Sequence, residues 1–250
     1  MRRIVAGNWK MHKDREAANA LVASLKNVVI PEGVEVIIAP PFPFLAAAVE
    51  QVAGTPIVVA AQNCHQKGHG AFTGEVSAAM LKSIGVKACI VGHSERRQYF
   101  GETDRAVSEK IVALLEQGIT PIYCCGELKE ERVAGDHFTV VTEQMRTALG
   151  GLSNAQLERV VIAYEPVWAI GTGLTATAEQ AQEMHAHIRS LLAGHGAEVA
   201  NKVPILYGGS CKPDNAAELF VNPDVNGGLI GGAALDADQF SELIRIAGTK

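Results

Sequence analysis

The sequence predicts an α/β protein built as a single-domain (β/α)8 barrel over residues 1–250. Three observations carry this expectation. Eight short runs are continuously apolar and rich in Val and Ile, the pattern of parallel strands buried on both faces. Stretches of helical periodicity alternate with them, with no linker between units. Several runs end in glycine or in a reactive side chain, as barrel strands do where their loops gather. The competing layout is an open doubly wound sheet. Eight regular units and the strand-end glycines favour the closed form, and 250 residues suit such barrels, which use about 200–250.

The first predicted strand, Ile4–Asn8, leads into Trp9 and Lys10. The helix after it presents Ala18, Leu21, Val22, Leu25 and Val29 on one face. Strands follow at Val34–Ala39 and Ile57–Gln62. The connection from Asn63 to Val76 is long for a βα loop and carries Phe72 among glycines. A loop of that length with a core-type aromatic reads as an arm that docks on a partner. The fourth strand, Ala88–Val91, runs into Gly92-His93-Ser94-Glu95, with Ser94 in the role of helix N-cap. In the fifth, Thr120–Cys124, the neighbours Cys124 and Cys125 should face opposite sides. The sixth, Arg159–Tyr164, delivers Glu165 and stops at Pro166. Thr177-Ala178-Glu179-Gln180 then forms a capping box before a helix with Ala181, Met184, Ile188, Leu191 and Leu192 on its apolar face. The last strands, Val203–Tyr207 and Gly228–Ile230, end in Gly208-Gly209-Ser210 and Gly231-Gly232, and the final helix buries Phe240, Leu243, Ile244 and Ala247.

Composition narrows the function. A chain that is 48% hydrophobic and 20% charged suits a soluble protein with a large core. A net charge of −5 offers no basic footprint for nucleic acid. No apolar run reaches the roughly 18 residues that span a bilayer. Five Cys, an odd number without a C-x-x-C, read as reduced thiols. With a strand starting directly after Met1-Arg2-Arg3, the expected location is cytoplasmic. His185 and His187 stand two apart on a helix, so they diverge and make a poor metal pair.

The strand ends supply the chemistry. Glu165 is a carboxylate followed by Val167, Trp168, Ala169 and Ile170. A closing loop carrying those groups would desolvate it and raise its basicity. His93, at a helix start, feels the positive end of the helix dipole, which disfavours imidazolium. A neutral imidazole can donate to a carbonyl and relay a proton between oxygens. Lys10 is a candidate fixed cation for an anionic substrate. The backbone N–H groups at Gly208-Gly209-Ser210 and Gly231-Gly232 are placed to bind phosphate, as the last two βα loops of barrels often do. Gly171-Thr172-Gly173-Leu174-Thr175-Ala176 also fits G-x-G-x-x-A. Its glycines do not follow the strand directly, and the next strand offers no acidic residue for a ribose, so a nucleotide site is discounted.

Taken together these segments resemble the triosephosphate isomerases. The matches are Gly7–Met11, Gly70–Glu75, Gly92–Arg97, Ala163–Ala176, Tyr207–Ser210 and Gly231-Gly232, spread over almost the whole chain in family order. The resemblance implies the TIM barrel fold and interconversion of dihydroxyacetone phosphate and D-glyceraldehyde 3-phosphate through an enediol(ate), a step of glycolysis and gluconeogenesis that needs no cofactor or metal. It assigns Glu165 as carbon base, His93 as electrophile, Lys10 as oxyanion and phosphate cation, Asn8 as a positioning group and Glu95 as a supporting carboxylate that holds Lys10 or the resting Glu165. It implies phosphate binding by the N–H groups of Gly171, Ser210, Gly231 and Gly232. The implied lid runs from Pro166 to Ala176, with Ile170 and Leu229 as an apolar clamp over Glu165. It further implies a homodimer through the 63–76 loop, with Phe72 and Thr73 at the contact and Thr73 approaching Asn8 and Lys10 of a second copy. Leu174, Ala78, Asn226-Gly227-Gly228 and Ala234 depart from the commoner family pattern, away from the reacting groups. The rival readings are another phosphate-sugar barrel enzyme or a non-catalytic phosphosugar-binding protein.

Overall fold

Alternate residues of a strand face opposite sides, and closing the sheet on itself turns those sides into two separate cores. The computed structural model describes residues 1–171 and 173–249; Thr172 of the expected lid and G-x-G-x-x-A match, and Lys250, lie outside them. Its strands are β1 (Arg3–Asn8), β2 (Val34–Ala39), β3 (Ile57–Ala61), β4 (Ala88–Val91), β5 (Thr120–Cys125), β6 (Val161–Tyr164), β7 (Ile205–Tyr207) and β8 (Gly227–Ile230). They close in chain order, all parallel, with β8 pairing back onto β1. Ile4, Ala6, Ile37, Ile90, Ile122, Cys124, Val161, Ala163 and Leu206 fill the barrel. Their strand neighbours Val5, Val36, Ile38, Val91, Tyr123, Cys125, Ile162 and Tyr164 pack outward under the helices. Cys124 and Cys125 therefore divide between the two cores as expected.

The helices seal the outer core. Ala18, Leu21, Val22 and Leu25 are buried on the Arg15–Leu25 helix. Ala181, Met184, Ile188 and Leu192 are buried on Ala178–Ala193, which opens with the Thr177/Gln180 capping box. Phe240, Leu243, Ile244 and Ala247 are buried on Ala237–Ala247. Among the described residues no helix is long and apolar enough to cross a membrane.

Several expected boundaries move, each for a local reason. Val29 does not lie on the first helix; it is 88% exposed. Asn27 and Val28 bond back to Ser24 and Leu25 in a closing turn, and Pro31 keeps the preceding residue out of helical geometry. β3 stops before Gln62, whose side chain leaves to bond the carbonyls of Lys10 and Ala39. β6 starts at Val161 because Arg159 and Val160 still bond back to the short Asn154–Leu157 helix. β7 starts at Ile205, after Pro204, which has no N–H for the ladder.

Candidate active site

The C-terminal ends of β1, β4, β7 and β8 and the loop after β6 border one cavity of about 250 Å³. Asn8, Lys10, His93, Ile170, Gly171, Ser210, Leu229, Gly231 and Gly232 all line it. Lys10 sits at φ 51°, an uncommon conformation for a residue with a side chain. Two bonds hold it there: its N–H donates to Asn8 Oδ1 at 3.0 Å and its carbonyl accepts from Gln62 Nε2 at 2.9 Å. The ammonium reaches across to Glu95 Oε1 at 2.5 Å. Of the two partners offered for Glu95, the geometry thus selects Lys10.

Glu165 follows the last residue of β6. Its carboxylate is buried against the start of the Ser94–Phe100 helix rather than turned into the cavity. Ser94 N–H donates to Oε2 at 2.9 Å and Ser94 Oγ to Oε1 at 3.1 Å. His93 Nε2 lies 3.0 Å from Oε1. Close packing on the other side requires Gly208, where a Cβ would stand 2.9 Å from Glu165 Cγ.

The expected cap is displaced by one residue. His93, not Ser94, is the N-cap, and its Nδ1 accepts the Glu95 N–H at 3.2 Å. Ser94 is the first helical residue, so its N–H has no partner within the helix and is free for Glu165. An Nδ1 that accepts a hydrogen bond carries no proton. The ring proton is then on Nε2, pointing at the carboxylate.

Two buried carboxylates brace this site. Glu102 Oε2 accepts the Gly92 N–H at 2.9 Å, directly before His93. Its Oε1 meets Arg96 Nε at 3.2 Å and the Lys110 ammonium, which also donates to Asn63 Oδ1 at 2.8 Å. Burial pushes the Glu102 carboxyl up, but Lys110 and Arg96 outweigh burial and hold it below the usual carboxylate range. Glu127, past the end of β5, is fully buried. Its Oε1 accepts Trp168 Nε1 at 2.8 Å and the Tyr164 hydroxyl at 3.0 Å, so it ties β6 to the turn Val167–Ala169 that follows it. Burial pushes the Glu127 carboxyl up, against the pull of those two donors and of Arg132.

Sequence reasoning did not assign roles to Ser94, Gln62, Glu102 or Glu127 in this way. Glu127 stands two residues past the end of β5, and that position is a usable signal. Nothing in the local sequence marks Glu102, although its partners Gly92, Arg96 and Lys110 all stand within ten positions of it. The histidine pair diverges: His185 packs on Tyr164 and Tyr207, His187 on Phe138. Among the described residues, no group of three or more His, Cys, Asp or Glu could hold a metal.

The arm projects from the same end of the barrel. Phe72 stacks on His65, with ring centroids 4.2 Å apart, and is still 44% exposed; Thr73 is exposed beside it. A second cavity, about 320 Å³, adjoins the first and shares Asn8, Lys10 and His93 with it; Met11, Phe42, Glu95 and Phe100 also line it.

A closed (β/α)8 barrel that gathers carboxylate, imidazole, ammonium and glycine-rich loops at its C-terminal face has the build of a barrel enzyme. The family model described as triosephosphate isomerase matches residues 3–247. A triosephosphate isomerase of Porphyromonas gingivalis is 54% identical over 246 residues, 96% of this chain and 97% of that protein. One of Pseudomonas putida is 50% identical over 250 residues, 99% of this chain and 100% of its own length, and one of Cytophaga hutchinsonii 49% identical over 248, 98% of each. The chain belongs to the triosephosphate isomerase family and is an isomerase.

Proposed function

We propose that this chain interconverts dihydroxyacetone phosphate and D-glyceraldehyde 3-phosphate, as a cytoplasmic enzyme of glycolysis and gluconeogenesis. The observation that carries the reading is the Glu165–His93 pair, 3.0 Å apart, beside a cavity that also holds Lys10 and the Ser210 and Gly231-Gly232 backbone. The N–H groups of Gly171, Ser210, Gly231 and Gly232 take the phosphate, a role suited to bare backbone at loop and helix starts. Glu165 turns from Ser94 into the cavity and removes a proton from the carbon beside the carbonyl. His93 Nε2–H donates to the substrate oxygen and then moves a proton between the two oxygens of the enediol(ate). Lys10, fixed by Asn8, Gln62 and Glu95, stabilises the negative charge that develops there. Closure of 166–176 brings Ile170 over the base opposite Leu229 and excludes water, which protects the intermediate.

The arm supports a homodimer. Phe72 and Thr73 are exposed on it, and a cavity lies open beside Asn8, Lys10 and Glu95, so a second copy's arm seated there would complete the Lys10 side of the site. The test of the chemistry is turnover of glyceraldehyde 3-phosphate, coupled to reduction of the ketone product, in the wild type and Glu165→Asp. The shorter side chain withdraws the carboxylate by about 1.5 Å, and a misplacement of that order costs roughly 100-fold in rate. Near-normal turnover in the variant removes Glu165 from the mechanism. A wild-type chain that binds phosphate without turning over substrate replaces the whole reading with a non-catalytic one.

A further inference from the structure

We propose that Gln144, on the helix His137–Leu149 outside the barrel, is a positioning residue for this isomerisation. Its side-chain amide clamps Gly126, and Gly126 sets the backbone of Glu165. The proposal rests on the isomerase reading above.

Gln144 Oε1 accepts the Gly126 N–H at 2.8 Å, and Gln144 Nε2 donates to the Gly126 carbonyl at 3.0 Å. Gly126 lies just past the end of β5, where the ladder no longer pairs its polar groups. One side-chain amide satisfies both. On the opposite side the chain runs flush with the base: Glu165 N–H donates to Cys125 O at 2.8 Å and Val167 N–H to Glu127 O at 3.1 Å. There is no slack between the two segments, since a Cβ on Gly126 would lie 1.7 Å from the Glu165 carbonyl oxygen. A shift of Gly126 therefore passes directly to Glu165 and, through the next residue, to the Glu127 bonds with Tyr164 and Trp168.

The Gln144 side borders a cavity of about 690 Å³ that also touches Ser94, Val167, Trp168 and Ile170. Space there lets Gly126 relax when the amide is removed. The phosphate loops after β7 and β8 lie on another side of the site. Loss of the clamp should therefore lower turnover and spare substrate binding.

The experiment uses the full chain with Gln144→Met and Gln144→Glu, assayed on glyceraldehyde 3-phosphate with inorganic phosphate binding measured in parallel. Gln144→Met keeps the bulk and removes both bonds. Its kcat should fall about tenfold, with KM and the phosphate Kd within about twofold of wild type. In Gln144→Glu a neutral carboxyl can still accept and donate as the amide does, whereas a carboxylate cannot donate and faces the Gly126 carbonyl. Arg97 and Lys129 border that cavity and favour the carboxylate; Glu130 and Glu131, which also line it, oppose it, with Tyr99 alongside, as do Glu127 and Glu165 behind Gly126. The activity of Gln144→Glu relative to wild type should therefore rise as pH falls, while that of Gln144→Met stays flat. Wild-type kcat in Gln144→Met overturns the proposal, as does equal loss of turnover and phosphate affinity. Should Gln144→Met fail to fold, a Gln144→Glu profile parallel to wild type overturns it. A wild-type chain inactive on this substrate takes down the isomerase reading first, whatever the variants do.

Discussion

Replacing Glu102 by Gln should unsettle His93 from a distance. Glu102 has a side chain only 3% exposed and serves Lys110, itself 7% exposed, together with Arg96 and the Gly92 N–H. Gln keeps the size but removes the charge and one of two acceptor oxygens. Its NH2 group must then face either the Gly92 N–H or the cations. Breaking a buried pair by removing one partner costs about 3–5 kcal/mol, because the other charge stays buried without compensation. In a chain of 250 residues each kcal/mol moves Tm by about 2–4 °C, so the midpoint should fall by roughly 6–20 °C. The folded Glu102 carboxyl lies below the ordinary value of about 4.3. Its stabilisation is therefore complete above that value and is lost as pH falls through the lower, folded one. The gap between wild type and variant should narrow below about pH 4. Calorimetry from pH 7 to 3.5 measures this, and kcat should fall as Gly92 releases His93. A gap under about 2 °C at pH 7, or one unchanged at pH 3.5, would refute the reasoning.

Three further outcomes are expected. Asn226 Oδ1 accepts from Arg189 at 2.7 Å and from the Ile205 N–H at 2.9 Å, and burial lowers the Arg189 guanidinium against the pull of Asp224. Asn226→Asp keeps both bonds and adds a countercharge, worth about 1–2 kcal/mol, so Tm should rise by a few degrees; a drop would mean that desolvating the new carboxylate outweighs the pairing. Trp168→Phe removes the indole donor from Glu127, and kcat should fall about tenfold, on the scale of one bond to a charged group; rapid kinetics of lid closure would locate the loss, and unchanged closure would free Glu127 of the hinge role. Burial pushes the Cys89, Cys124 and Cys125 thiols up, and Cys211 up to about 12. At pH 8 only about one Cys211 in ten thousand is thiolate, so a disulfide reagent should label these thiols only after unfolding, and fast labelling of the native chain would contradict their burial.

The barrel was legible in the sequence because both of its periodicities are local. Runs such as Val36–Ala39 and Pro121–Cys125 are apolar throughout because a barrel strand is buried on both faces, and Ala181, Met184, Ile188 and Leu192 recur at helical spacing. Boundaries were less legible where one residue changes the outcome, as Pro31 and Pro204 do. Candidate site residues were legible where a strand end announces them: Lys10, His93, Glu165 and the glycine pairs.

The sequence alone determined the fold class, the family and which side chains stand at the mouth of the barrel, since each follows from a contiguous segment. Tertiary structure decided how those side chains are held. Ser94 gives its N–H to Glu165 because the helix begins one residue earlier, at a His93 cap. Glu95 pairs with Lys10, 85 positions away. Gly126 is pinned between Gln144 and Glu165. These relations join residues from different strands and helices, and no spacing along the chain records which loops the closed barrel brings within hydrogen-bonding reach.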